Sequence, residues 1–309
     1  MNLTFLEDFW INTSNSHIMN IKVKIKKAII SILSQVPIKK HVTANIVNLS
    51  PNELLKGRCA LITGGTSGIG YSIAEAFIKA GACVVITGRN MDKIQAACNM
   101  LNTCVDGDKN AVGYVMDITK TTEISKSFDQ ILQIIPSHKI DILVNNAGVM
   151  GRFGIANADE EMFQSVIDTN LKGPFFLSGI VGKYMRDNGI KGNILNICSS
   201  SSIRPANSVY GISKWGLRGF TLGLAKSLLP YGITVNGLAP GPTATPMILK
   251  DPKKGISRQG LMERQILPEE IANMAVVLVS GIGKTIIGDV IYMTTGCGVI
   301  TYDDIPCEF

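Results

Sequence analysis

The chain has 309 residues, 46% hydrophobic and 17% charged, which describes an ordered globular protein with ample length for a buried core. Its net charge is +6, but residues 1–57 carry seven lysines against Glu7, Asp8 and Glu53, so the remainder is close to neutral and lacks the basic stripe of a nucleic-acid-binding protein. No stretch suits a membrane span or a signal peptide, so we expect a cytoplasmic protein.

Residues 1–56 form an N-terminal extension outside the pattern of the rest of the chain. We predict an amphipathic basic helix that ends at Pro37, although IKVKIK also alternates as a strand would. Packing on the domain or on a neighbouring subunit is the favoured role, and contact with an anionic membrane surface is the alternative. The apolar face of this helix consists of Ile18, Ile21, Ile25, Ile29, Ile32 and Val36, with Lys24 and Lys27 opposite.

From residue 57 to 309, short apolar runs alternate with amphipathic stretches. The predicted strands are 59–63, 83–87, 111–116, 140–146, 193–198, 233–239 and 289–294. The predicted helices are 69–80, 91–102, 121–135, 159–187, 208–229 and 268–280. Apolar strands separated by helices indicate an α/β domain whose parallel sheet is covered on both faces. The series predicts one doubly wound domain of about seven strands.

The cysteines lie at positions 59, 83, 98, 104, 198, 297 and 307, without a CxxC pair or a nearby histidine. Their odd number and the apolar runs around Cys83 and Cys198 predict free thiols in a reducing compartment. We therefore expect neither disulfides nor a metal site.

The first predicted strand runs into TGGTSGIG and then into a helix. Gly64, Gly68 and Gly70 stand at this turn, where backbone can approach a phosphate and the helix N-terminus attracts its charge. A second predicted strand follows this helix at the spacing expected of a strand–helix–strand unit, so the turn predicts dinucleotide binding. That strand ends with Gly88 and Arg89 instead of an acidic residue, which favours NADP(H), with NAD(H) as the alternative.

Tyr210 and Lys214 stand four residues apart in a helical stretch and therefore share a face. The lysine charge favours the phenolate, so the tyrosine could exchange a proton with an alcohol or carbonyl oxygen near neutral pH. A solvated helix face is the ordinary interpretation of such a pair taken alone.

Four ordered motifs place the pair in context: TGxxxGxG at Thr63–Gly70, NNAG at 145–148, YxxSK at Tyr210–Lys214 and PGxxxT at Pro240–Thr245, with Asn170 on the long helix. With them the chain resembles the short-chain dehydrogenase/reductase family from about residue 57 to 300. The resemblance implies a Rossmann-type fold and an NAD(P)-dependent oxidoreductase acting on CH–OH groups. One departure is YMTTGCG near the C-terminus, where many members have an Asp-Gly-Gly turn.

The resemblance also implies roles for individual residues. Tyr210 is the expected acid/base, Lys214 tunes it and holds the nicotinamide ribose, and Asn170 anchors a proton-conducting water. Ser199 matches the catalytic serine, although its short spacing to Tyr210 keeps Ser200 open. The implied cofactor-binding set is Gly64, Thr66, Ser67, Gly68, Ile69, Gly70, Arg89, Asp117, Ile118, Asn145, Ala147, Gly148, Tyr210, Lys214, Pro240, Gly241 and Thr245.

Three functions remain open at this point. The first is NADP(H)-dependent reduction of a carbonyl such as a 3-oxoacyl thioester, the second is the same chemistry on a sugar or polyol, and the third is a catalytically silent nucleotide-binding scaffold subunit. Residues 244–266 are the expected substrate loop, whose basic residues could favour an anionic group. The family also implies a homodimer or homotetramer paired through helices 159–187 and 208–229.

Overall fold

The computed structural model describes residues 53–104, 110–135, 137–151, 155, 159–247 and 265–296. The predicted N-terminal helix and the core of the substrate loop lie outside these residues. The extension of residues 1–56 and its membrane contact therefore stay predictions. No helix in the described ranges is long and apolar enough to cross a membrane.

Seven parallel strands form one sheet in the order β3-β2-β1-β4-β5-β6-β7, which confirms the predicted doubly wound α/β fold. The chain order reverses between β1 and β4, where a crevice opens beyond the carboxyl ends of the strands. The strands are β1 Cys59–Thr63, β2 Cys83–Gly88, β3 Ala111–Val115, β4 Ile142–Asn145, β5 Asn193–Ile197, β6 Thr234–Pro240 and β7 Val290–Met293.

The helices cover both faces of the sheet and lie close to their predicted positions. They are α1 Gly68–Lys79, α2 Met91–Leu101, α3 Ile124–Ile134, α4 Glu160–Ile167, α5 Gly173–Asp187, α6 Val209–Leu228 and α7 Pro268–Val279. Apolar side chains of alternate strand residues pack into two layers, one beneath α1, α2 and α7 and the other beneath α3, α5 and α6.

The predicted single helix 159–187 is interrupted. A π-helical turn, Asp168–Lys172, separates α4 from α5, and the backbone N–H of Gly173 donates to the carbonyl of Asp168. A Cβ at Gly173 would lie 2.7 Å from the carbonyl oxygen of Ile118, so glycine is needed for this close approach. Such turns frequently occur at functional sites.

The prediction that all cysteines are free thiols is wrong for one pair. Cys59 and Cys83 face each other in register on β1 and β2, with their Cα atoms 4.7 Å apart, and form a disulfide. Cys98, Cys104 and Cys198 are free. Because one pair of cysteines is oxidised, the cysteines no longer indicate a reducing compartment, and the cytoplasmic location stays a prediction.

Candidate active site

A cavity of about 740 Å³ lies along the carboxyl ends of the strands. It extends from Arg89 and Asp117, beyond β2 and β3, to Ser199 and Tyr210, beyond β5. It brings together most of the predicted residues: Gly64, Thr66, Ser67, Gly68, Ile69, Arg89, Asp117, Ile118, Ala147, Gly148, Ser199, Tyr210, Lys214, Pro240, Gly241 and Thr245. Gly70, Asn145 and Asn170 lie outside its lining.

The turn between β1 and α1 is shaped to admit a phosphate. Gly64 and Gly68 have φ angles of 64° and 57°, in the left-handed region that favours glycine. Ser67 precedes α1 in extended conformation and its side chain makes no capping hydrogen bond, so the first N–H groups of α1 remain available to an anion.

Gly70 has a different role from the other two glycines. A Cβ at this position would overlap the side-chain amide of Asn146 and approach the Gly64 carbonyl oxygen to 2.5 Å. Asn146 Nδ2 in turn donates to the carbonyl oxygens of Thr63 and Gly64, at 2.9 and 3.1 Å. Gly70 therefore allows Asn146 to brace the turn from behind.

The side chain of Asn145 does not reach the cavity, so its predicted contact with the cofactor stays a prediction for its backbone alone. Its Nδ2 donates to Ser178 Oγ and to Asn196 Oδ1, both at 2.8 Å, and the side chain is buried beneath the cavity. Successive residues at a strand end face opposite ways, so its neighbour Asn146 reaches the cavity instead.

The adenosine end of the cavity is polar and open. Asp117 Oδ1 accepts from the backbone N–H and the hydroxyl of Thr119, at 3.0 and 2.8 Å, and its predicted bond to an adenine amino group stays a prediction. Arg89 is exposed, lines this end and also borders a second cavity of about 240 Å³ together with Lys120.

Tyr210 and Lys214 meet inside the cavity, one helical turn apart on α6. The Lys214 ammonium lies 5.7 Å from the centre of the Tyr210 ring and donates to the carbonyl of Ile197 at 2.7 Å. Tyr210 is half-buried, whereas Lys214 is only 5% exposed. A solvated helix face does not describe this pair, because the lysine is held inside by the carboxyl end of β5.

Ser199 and Ser200 both line the cavity and are both buried. Ser199 Oγ accepts from the backbone N–H of Ser201 at 3.1 Å and so begins a short 3₁₀-helix, Ser200–Ile203. A hydroxyl that accepts in this way still has its proton to donate to a substrate oxygen. Ser199 suits the predicted role, and Ser200 remains the alternative.

Asn170 acts as a clamp between three segments. Its Oδ1 accepts from Val149 N at 2.8 Å, and its Nδ2 donates to Val149 O at 3.0 Å and to Ser213 Oγ at 3.1 Å. These bonds tie the π-helical turn to the chain after β4 and to α6, which carries Tyr210. The geometry makes Asn170 a positioning residue, and its predicted water stays a proposal.

Cys198 also lines the cavity, but its thiol is not activated as a nucleophile. Burial raises the pKa of its thiol to about 11, and Lys214 opposes only part of that rise. The thiolate is therefore scarce at neutral pH.

Several lining residues were missing from the sequence predictions, notably Asn146, Met150 and Arg204. The second asparagine of NNAG was a usable signal for Asn146. Arg204 belongs to no motif, and only the fold brings it to the cavity.

The glycine turn, the free first turn of α1 and the adenosine-end Asp117 together fit a dinucleotide. The family model described as short chain dehydrogenase matches residues 58–254. A 3-oxoacyl-[acyl-carrier-protein] reductase of Rickettsia bellii is 36% identical over 247 residues, which are 78% of this chain and 97% of that protein. A 3alpha-hydroxysteroid dehydrogenase of Mediterraneibacter gnavus is 32% identical over 243 residues, covering 77% of this chain and 96% of that protein.

Among solved structures, an actinorhodin polyketide ketoreductase variant with NADPH superposes with a TM-score of 0.73 at 29% identity. The match covers 78% of this chain and 97% of that one. The matched segment begins before β1 and includes the glycine turn, the π-helical turn and the Tyr210–Lys214 pair. The chain therefore belongs to the short-chain dehydrogenase/reductase family and is an oxidoreductase with a Rossmann-type NAD(P)-binding fold.

Proposed function

We propose that the protein is an NADP(H)-dependent oxidoreductase that interconverts a carbonyl and a secondary alcohol, with Tyr210 as the acid/base. The observation that carries this proposal is the buried Lys214 ammonium beside Tyr210, in the same cavity as the glycine turn. A protein that only bound nucleotide could use Lys214 to hold the nicotinamide ribose, but it would not need the Tyr210 phenol beside that cation. That arrangement argues against the scaffold hypothesis.

In the reducing direction, the nicotinamide supplies a hydride when it is bound. The Tyr210 hydroxyl donates its proton to the carbonyl oxygen as the alcohol forms, and the Lys214 charge stabilises the phenolate that remains. Ser199, or Ser200 in its place, donates a hydrogen bond to the same substrate oxygen. Oxidation of an alcohol reverses each proton movement.

The preference for NADP(H) is part of the proposal and rests on β2. Gly88 leaves no carboxylate that would repel a 2′-phosphate, and Arg89 brings an exposed guanidinium to the adenosine end. Lys120 lines the adjoining cavity together with Arg89, but Asp117 and Glu123 line it as well, so the NADP(H) preference rests on Gly88 and Arg89 alone.

The cofactor preference is tested by kcat/KM for NADPH and NADH. We expect Arg89→Gln to lower the value for NADPH by about 10- to 50-fold and to leave that for NADH nearly unchanged. Lys126→Gln is the matched control, because Lys126 is exposed on α3 and lines neither cavity. Equal loss with both cofactors would contradict the proposal.

For the substrate we favour a 3-oxoacyl thioester, in line with the Rickettsia bellii relative, over a keto-sugar or polyol. The decisive experiment is NADPH oxidation by the purified protein across acetoacetyl thioesters, keto-sugars and simple ketones. We expect activity with at least one class and a loss of about 10²- to 10⁴-fold in Tyr210→Phe. Tyr231→Phe, at an exposed position after α6, should retain full activity.

The opposite result restores the scaffold hypothesis. Protein that bound NADPH, reduced no member of the panel and was unaffected by Tyr210→Phe would not be an enzyme of this kind.

We also infer self-association through α5 and α6. Phe175 and Phe176 on α5 are about half exposed, as are Trp215 and Leu222 on α6, and Gly223 leaves open space for a neighbouring backbone. Light scattering after size-exclusion chromatography should give a dimer or tetramer, and Leu222→Glu should shift it to a smaller species. A monomeric wild type would contradict this inference.

A further inference from the structure

The hydroxyl of Tyr292 connects the outermost strand of the sheet with the turn that carries the candidate catalytic serines. Tyr292 lies on β7 and is not among the described residues that line the cavity. Its Oη nevertheless lies 3.1 Å from Ser202 Oγ, on the 3₁₀-helix that follows Ser199. β6 separates β7 from β5, and the β6 residue paired with Tyr292 is the small Ala239. The contact therefore depends on strand order, and no local motif could predict it.

The direction of these hydrogen bonds follows from the number of protons available. Ser202 Oγ lies 2.7 Å from the Ser199 carbonyl oxygen, which can only accept. Ser202 therefore donates its single hydroxyl proton to that oxygen. The Tyr292 hydroxyl must then be the donor to Ser202 Oγ. The result is a directed chain of hydrogen bonds from Tyr292 through Ser202 to the Ser199 carbonyl.

The Ser199 carbonyl belongs to the peptide that joins Ser199 to Ser200. The same oxygen also accepts from the backbone N–H of Ser202, at 3.0 Å. Both candidate serine side chains are attached to the two ends of this peptide, so fixing it orients whichever hydroxyl contacts the substrate oxygen. The effect of Tyr292 on the site consequently does not depend on the choice between Ser199 and Ser200.

Burial makes the Tyr292 hydroxyl important to this chain. Ser202 is 0% exposed, and hydrogen bonds that follow one another in a medium of low dielectric strengthen each other. The ring of Tyr292 serves a separate purpose, since it packs against a small apolar cluster. Tyr292→Phe should therefore remove the hydrogen bond and keep the packing. The cluster consists of Cys198, Leu217, Ala239 and Val290.

The other end of the serine turn has its own anchor. Trp215 Nε1, on α6, donates to the carbonyl of Arg204 at 2.7 Å, directly after the 3₁₀-helix. Loss of the Tyr292 hydroxyl should accordingly loosen the end of the turn at Ser199 without releasing the whole turn from the fold.

We propose that Tyr292 is a positioning residue for the carbonyl reduction, because through Ser202 it holds the Ser199–Ser200 peptide where a serine hydroxyl meets the substrate oxygen. The inference rests on the proposed function and adds to it a residue remote from the cavity. A displacement of about 1 Å in such a group can lower the rate by about 10²-fold. A small movement of this peptide is therefore sufficient to affect catalysis.

The first test is the steady-state kinetics of Tyr292→Phe with the best substrate of the carbonyl panel. We expect kcat to fall by about 5- to 20-fold, less than the 10²-fold or more that complete loss of a donor to the substrate oxygen costs. KM for NADPH should stay within about twofold, because the cofactor-binding residues are unchanged. A merely destabilised protein would not show this split once kcat is expressed per folded molecule.

Tyr114→Phe is the matched control. Tyr114 lies on β3, the outermost strand at the opposite side of the sheet, and its hydroxyl donates to Gln130 at the surface. It is not among the described residues that line either cavity. We expect its kcat and KM to equal those of wild type.

A double-mutant cycle tests whether Tyr292 acts through Ser202. Ser202→Ala should lower kcat at least as much as Tyr292→Phe does, since it breaks the same chain nearer to Ser199. Adding Tyr292→Phe to Ser202→Ala should then change kcat by less than twofold. Losses that multiply in the double variant would contradict the chain, because they would show that the two hydroxyls act independently.

Hydrogen exchange provides a measurement that does not need turnover. The backbone N–H of Ser202 donates to the Ser199 carbonyl, so its exchange rate reports how firmly that end of the turn is held. Mass spectrometry of peptides that cover residues 199–204 should show exchange about tenfold faster in Tyr292→Phe. Tyr114→Phe should exchange as wild type does.

The inference is overturned if kcat of Tyr292→Phe equals that of wild type, even where exchange is faster, because the bond would then be structural alone. Tyr210-dependent reduction in that case leaves the proposed function standing. If wild type shows no Tyr210-dependent reduction, the proposed function fails and the catalytic role of Tyr292 fails with it. The exchange result would then show separately whether Tyr292 holds the serine peptide.

Discussion

A buried charge lies at each end of the strands, and the two differ in their partners. The amino ends of the strands are called the amino edge of the sheet, and the carboxyl ends the carboxyl edge. At the amino edge, Asp141 is 3% exposed and contacts Arg58 Nε at 2.9 Å, Lys139 Nζ at 3.2 Å and the backbone N of Cys59 at 3.2 Å. At the carboxyl edge, Lys214 is almost as buried but bonds only a carbonyl, and the described residues give it no carboxylate partner.

This difference suggests that the charge at one edge stabilises the fold and that the charge at the other edge serves the proposed reaction. A buried charge that is fully paired contributes to stability only as long as every partner remains. A buried charge without a counterion costs stability but stays available to a reacting group. The paired charge at the amino edge therefore joins neighbouring segments, whereas the carboxyl edge holds a buried cation that the proposed proton transfer would use.

The largest expected effect comes from removing that cation. Lys214→Met should lower kcat/KM by about 10³-fold, equivalent to about 4 kcal/mol of barrier, because nothing then stabilises the phenolate. The free energy of unfolding should stay the same or rise, since a buried unpaired charge is gone. Steady-state kinetics and urea unfolding measure the two effects. A large loss of stability would contradict the statement that the Lys214 charge does not stabilise the fold.

The complementary change is Asp141→Asn at the other edge. It leaves the guanidinium of Arg58 without its charge partner, so we expect the free energy of unfolding to fall by about 3 kcal/mol. Activity per folded molecule should be retained. Asp187→Asn is the control, because its contacts with Lys183 and Arg186 are exposed and should not affect urea unfolding. Equal changes in the free energy of unfolding for Asp141→Asn and Asp187→Asn would contradict the stabilising role given to the buried Asp141–Arg58 pair.

Gly70→Ala tests whether the carboxyl edge also contains contacts on which the fold depends. Its methyl group would displace Asn146 from the glycine turn, so we expect a loss of about 2 kcal/mol in stability together with weaker NADPH binding. Gly281→Ala, where a Cβ meets open space, should be neutral. Calorimetry and cofactor titration read the two effects, and unchanged binding would mean that Asn146 does not support the turn.

The smallest expected effect is a gain in the free energy of unfolding. Thr295 has a φ of 52°, a left-handed conformation that is strained for a β-branched residue, and it lies just beyond β7. Thr295→Gly should raise the free energy of unfolding by about 1 kcal/mol. Thr122→Gly, at an exposed position with negative φ, should lower it. A destabilised Thr295→Gly would show that its hydroxyl bond to the Thr294 carbonyl outweighs the strain.

Local patterns were sufficient to predict the elements. The apolar runs at 59–63 and 83–87 became β1 and β2 within one residue, because a strand buried on both faces must be continuously apolar. The interruption at Asp168–Lys172 was not predictable in the same way. It depends on contacts of Asn170 with Val149 and Ser213, which are remote in sequence.

The sequence by itself determined the order of the elements, the family and the Tyr210–Lys214 pair proposed for catalysis, because periodicity and motif spacing are local properties of the chain. Tertiary structure decided which asparagine of NNAG faces the cavity, which glycine makes room for Asn146 at the turn, that Cys59 meets Cys83, and that Arg204 lines the cavity. Each of these depends on strand order and side-chain direction. Both are set only when distant segments pack together.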